Sequence, residues 1–193
     1  SESSSLKIRR QAAFKLARVG SDQAIESLKL GLLSTNSFLK AGIGEALGQS
    51  QNPKAYEVLL EMLHNEDPIA VRGAVRGIAV RGDVDAAQVL EKVLFDCTYS
   101  ESVRGEAASS LGEIPQPEAL QALARATNEI QDEEIISQIW EGLGQRDFSE
   151  TEQIFSNYLS SPNISVEAKV TALESLGNAE GNVAPFLLSY AAD

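Results

Sequence analysis

Apolar residues return along this chain every 31 to 33 positions, at Leu16, Leu47, Ile78, Leu111, Leu143 and Leu176. Four residues before each anchor stand Ala12, Ile43, Ala74, Ala107, Ile139 and Ala172, and eight before stand Ile8, Leu39, Ala70, Val103, Ile135 and Ala168. Eight residues after come Ala24, Ala55, Ala86, Ala119, Thr151 and Ala184, and twelve after come Leu28, Leu59, Leu90, Leu123, Phe155 and Leu188. A spacing of four keeps side chains on one face of a helix, so the first three positions mark one amphipathic helix and the last two mark another. No segment has the strict alternation of a strand. The pattern therefore predicts six helical pairs and an all-α fold.

The first helices are expected near 6–18, 37–48, 69–80, 101–112, 133–144 and 165–176. The second helices are expected near 23–33, 54–64, 85–95, 118–128, 150–160 and 183–191. Asn52, Asp67 and Asp132 precede these starts as N-caps, and Pro53, Pro68 and Pro117 suit a first helical turn. Gly48, Gly112, Gly144 and Gly177 follow the anchors directly, while Gly20 and Gly82 stand four residues beyond; all six are read as helix terminators. Gly42 to Gly44, with Gly73 and Gly77, read as a tight contact between the second and third units.

A lone helical pair cannot bury both apolar faces, whereas stacked pairs can. The recurrent alanines let helix axes approach, and the leucines fill the space between layers. One domain over 1–193 is expected, with units near 6–35, 36–66, 67–99, 100–130, 131–162 and 163–193.

The stretch "VRGEAASSLGEIPQPEALQAL", Val103 to Leu123, resembles the unit of the short HEAT-like repeat family, as do "IRRQAAFKLARVGSDQAIESL", Ile8 to Leu28, and "VRGAVRGIAVRGDVDAAQVL", Val71 to Leu90. The resemblance covers essentially the whole chain. It implies a right-handed α-α superhelix (solenoid) of six HEAT-like pairs, with second helices lining a concave face. The function it implies is a protein-binding scaffold or adaptor. The alternative is a bilin lyase-like or phycobilisome-related pigment-protein chaperone, because such proteins are the best-known bearers of these units. Helical-repeat diiron hydroxylases carry paired His-Glu motifs, and this sequence has none.

Charge sharpens the picture. The net charge of −12 lies wholly in the second half: residues 1–96 carry twelve Lys/Arg and twelve Asp/Glu, residues 97–193 four and sixteen. Backbone binding to nucleic acid needs cationic neutralisation, so the expected partner is a protein with a basic surface, steered by the acidic half. No apolar run is long enough for a membrane span, and the polar start has no signal-like core, which makes the cytoplasm the default. With one cysteine and one histidine, no metal site or cofactor is implied. His64 reads as a helix exit, and Cys97 has acidic neighbours rather than an activating base.

The residues singled out for partner binding follow from the second-helix face: Glu57, Glu61, Glu91, Glu118, Arg125, Glu150 and Gln153. Trp140 reads first as a large core residue in a widened space between units; as the alternative it joins the partner-binding candidates as an aromatic contact among Glu133, Glu134 and Glu141. Arg72, Arg76, Arg81 and Arg104 read as ties to acidic residues or carbonyls of adjacent units, with a phosphate or carboxylate ligand for Arg72, Arg76 and Arg104 as the lesser reading. Phe186, Leu187 and Tyr190 leave the last unit bare, so a dimer contact or further chain is expected there.

Overall fold

The computed structural model describes residues 2–191. The first helices of the pairs are α1 (Glu2–Val19), α3 (Ser37–Gly48), α5 (Pro68–Arg81), α7 (Glu101–Glu113), α9 (Glu133–Gly144) and α11 (Val166–Ser175). The second helices are α2 (Asp22–Gly31), α4 (Pro53–Met62), α6 (Ala86–Phe95), α8 (Pro117–Glu129), α10 (Phe148–Ser160) and α12 (Ala184–Ala191). A 3-10 turn, Leu176–Asn178, extends α11. Among the described residues the only β-type pairing is a single bridge between Asp147 and Glu180.

Local chemistry sets the starts. Asn52, Asp67 and Asp132 accept backbone N–H bonds from Lys54, Ile69 and Ile135, and Pro53, Pro68 and Pro117 open their helices. Gly20 and Gly82, both at φ +63°, close α1 and α5 in the left-handed conformation. Gly48, Gly112, Gly144 and Gly177 correct the expectation: none has a positive φ, so none is a left-handed terminator. The role of the first three is contact. A Cβ at Gly48 would stand 2.5 Å from the Gly77 carbonyl oxygen, and one at Gly112 would stand 2.5 Å from the Gly142 Cα.

These contacts run along one layer. Glycines 44, 48, 73 and 77 bring α3 and α5 into backbone contact, and Gly112 and Gly142 do so for α7 and α9. The second helices of neighbouring units stand farther apart. A stack bends toward its tighter layer, so the first helices line the inner, concave side. That corrects the expectation that the second helices do.

Between the layers runs one apolar core from Ala13 to Val183. Leu47, Ile78, Leu111, Leu143 and Leu176 are buried in it. At the two ends the pattern fails: Ile8 is exposed in α1, and Leu188 in α12 is 67% exposed, because no further described unit packs against them.

Candidate interaction surface

The solvent-facing side of the first helices is built by three positions, nine, six and two residues before each anchor. They form six rungs: Lys7, Arg10, Phe14; Phe38, Ala41, Glu45; Ile69, Arg72, Arg76; Ser102, Gly105, Ser109; Glu134, Ser137, Glu141; Glu167, Val170, Glu174. Spacings of three and seven keep each rung on one helix face, opposite the buried anchors. Glycine and alanine between the rungs draw them close, so the rungs form one continuous stripe.

The stripe changes sign along its length. Its first three rungs carry Lys7, Arg10, Arg72 and Arg76 against Glu45, and its last two carry only Glu134, Glu141, Glu167 and Glu174 as charged members. These four glutamates are exposed and have no ion-pair partner among the described residues.

In the first half the charges interlock. Glu45 accepts from Arg10 Nη2 at 2.8 Å and from Arg76 Nη1 at 3.0 Å. Glu106, the residue beside the fourth rung, accepts from Arg76 Nε at 2.7 Å and Nη2 at 2.6 Å, and from Arg72 Nε at 2.9 Å. The paired carboxylates, Glu106 foremost, hold the Arg76 guanidinium even more firmly protonated than usual. Arg104 is not part of this cluster. It ties its unit to the preceding one, as expected, by donating to the Leu94 carbonyl at 2.9 Å, and Arg10 rather than Arg104 joins Arg72 and Arg76 at the two glutamates.

The second-helix residues lie on the outer layer. Glu61 pairs with Lys29 at 2.6 Å, and Arg125 pairs with Glu91 at 2.9 Å while its guanidinium sits 4.3 Å from the centre of the Phe95 ring. Glu150 pairs with Arg146 at 2.7 Å, and Gln153 donates to Asn157 at 2.8 Å. Glu57 and Glu118 are exposed. Several of these residues thus tie second helices to one another. Lys54 and Asp22 do the same at 2.6 Å, and Lys54, by its hydrogen bond, holds the Asp22 carboxyl below its ordinary range.

Trp140 requires a correction. It is 0% exposed and packs against Phe155 and Tyr158 at 4.9 and 4.5 Å between ring centres. An aromatic of that size filling the space between α9 and α10 cannot anchor a partner, and it serves as a core residue. His64 and Cys97 are exposed at the exits of α4 and α6. In the last unit Phe186 meets Phe148 edge-on at 5.1 Å and the tilted Tyr190 ring at 5.2 Å between ring centres, which half-covers it.

Arg81 donates to the carbonyl of Ser50 in the inner turn of the preceding unit, as expected of it, and Arg146, which the sequence pattern did not single out, does the same to the carbonyl of Ile114. Asn52 likewise donates to the Gly20 carbonyl at 2.8 Å. The inner stripe itself was also missed as a unit, although its positions recur at fixed offsets from the anchors.

No described helix is long and apolar enough to cross a membrane. Deoxyhypusine hydroxylase of Drosophila pseudoobscura pseudoobscura is 29% identical over 93 residues, 47% of this chain, and the match spans only 31% of that enzyme's length. Among solved structures, an engineered protein superposes with a TM-score of 0.50 at 19% identity, covering 92% of this chain and 91% of its own. A second engineered protein gives 0.49 at 19% identity, covering 92% and 93%. Human deoxyhypusine hydroxylase in complex with glycerol gives 0.44 at 17%, covering 95% and 83%. The profile of HEAT repeats matches residues 1–76 and 58–141, and with the stacked pairs described above the chain belongs to the HEAT-repeat family.

Proposed function

We propose that this chain is a single-domain, non-enzymatic protein-binding scaffold whose inner stripe receives a partner with a basic segment. One observation carries the reading: Glu134, Glu141, Glu167 and Glu174 stand in two adjacent rungs with no cation paired to them among the described residues. Four like charges on a concave surface repel one another, and a basic segment relieves that repulsion and is steered by it. The likeness to a hydroxylase does not change the reading. It covers a minor part of that enzyme, and the sequence has a single histidine where paired His-Glu motifs would be needed.

The test is binding of a lysine- and arginine-rich peptide, followed by fluorescence polarisation at two salt concentrations. Glu134→Lys with Glu141→Lys should weaken binding by about tenfold or more, and added salt should weaken it for the unchanged protein. Glu57→Lys and Glu118→Lys, on the outer layer, should have little effect. The reading fails if the outer pair controls binding while the inner pair does not.

A further inference from the structure

Glu45 lies between Arg10 and Arg76, and Glu106 between Arg72 and Arg76, so three guanidiniums face two carboxylates. Arg76 uses all three of its nitrogens on these glutamates. Arg10 uses only Nη2, and Arg72 uses Nε and Nη2; among the described residues no acceptor is paired with Nη1 of either. A cation is therefore left over, with planar donors free at its edge. A ladder that only tied units together would need no such surplus.

Arg10 and Arg72 line a shallow cavity of about 260 Å³ together with Phe38, Ala41, Ile69, Arg76 and the already paired Glu45. Phe38 is 60% exposed and stacks on no other ring among the described residues. Holding an aromatic ring in water costs free energy that burial against a partner would recover. Arginine donors beside an apolar platform are complementary to one chemistry, a carboxylate carried next to an apolar side chain.

We infer that Arg10, Arg72, Phe38 and Ile69 form a second subsite on the inner stripe. Its ligand is a peptide segment bearing Asp or Glu beside an aromatic or aliphatic residue. The inference rests on the scaffold reading and adds to it a direction: the partner lies with its acidic, apolar end on the first three units and its basic end on the last two. Arg76 is the positioning residue, because it bonds both Glu45 and Glu106, the carboxylates that also hold Arg10 and Arg72 in place.

The experiment is selection of a random-peptide display library on the full chain, then measurement of the enriched peptide, made synthetically, against variants. Enriched sequences should pair Asp or Glu with Phe, Leu or Ile. Phe38→Ala and Arg72→Gln should each weaken the peptide by about tenfold, as should Glu→Gln in the peptide itself. Phe38→Ala removes an exposed side chain, so its melting temperature should stay close to that of the unchanged protein; this separates a binding role from a structural one. Enrichment without acidic residues, binding to both variants as tight as to the unchanged protein, or displacement by inorganic phosphate with no dependence on Phe38 would each overturn the subsite. Glu134→Lys with Glu141→Lys should leave this peptide's binding intact. Failure of the basic-peptide arm alone would then count against the acidic end and not against this one.

Discussion

Gly44 of α3 lies against Gly73 of α5: a Cβ at Gly44 would stand 2.6 Å from the Gly73 carbonyl carbon, closer than such atoms come in real packing. The neighbour is backbone and cannot rotate away. This contact, repeated at Gly48 with Gly77 and at Gly112 with Gly142, makes the first-helix layer the tight one.

Gly44→Ala and Gly48→Ala should therefore push neighbouring units apart and destabilise the stack by at least about 2 kcal/mol each. Gly177→Ala is the control: a Cβ there meets nothing within 4 Å, and its effect should be under about 1 kcal/mol. Urea denaturation followed by circular dichroism distinguishes the two. Equal effects at Gly44 and Gly177 would show that the close approach does not govern stability.

Arg146 is only 8% exposed, and it holds the Ile114 carbonyl of the preceding unit. Arg146→Ala should leave that buried carbonyl unpaired and cost about 2–3 kcal/mol. Removing its exposed partner with Glu150→Ala should cost less than about 1 kcal/mol. Hydrogen exchange should rise first at the 114–117 turn in the arginine variant.

Trp140 is the sole tryptophan, so its fluorescence reports on the fifth unit alone. Its emission should be blue-shifted and shielded from iodide or acrylamide in the native state. A partner on the inner stripe should change that signal little. Trp140→Ala should cost about 3–5 kcal/mol, because the void beside Phe155 and Tyr158 cannot close. A red-shifted, freely quenched native spectrum would contradict the buried position.

Asp67 caps α5, and the Ser37 hydroxyl, followed by the backbone N–H groups of Ile69 and Ala70, holds its carboxyl below the ordinary value of 3.8. A carboxyl whose folded-state pKa is depressed adds stability that is present above its unfolded value and is lost as pH falls through the folded one. The stability difference between the unchanged protein and Asp67→Asn should hence be largest above 3.8 and shrink as the pH drops below it. Denaturant midpoints across that range give the answer. A difference that grows on acidification would reverse the assignment.

The sequence alone was enough to read the number of units and nearly every helix boundary. Leu47, Ile78, Leu111 and Leu143 recur because each unit must bury the same face against its neighbours, and repeated packing leaves a repeated signature. The caps at Asn52, Asp67 and Asp132 were equally legible, since capping is a bond between residues two or three apart. Tertiary structure decided which layer is inner, because that depends on whether Gly48 meets Gly77 across 29 residues rather than closing its own helix. It also placed Trp140 in the core, replaced Arg104 by Arg10 in the arginine cluster, and gathered Phe38, Arg72 and Glu106 from three helices. Local sequence specifies contacts along a helix. The distance and angle between helices come from how small residues on two chain segments fit together, and only the packed stack determines that.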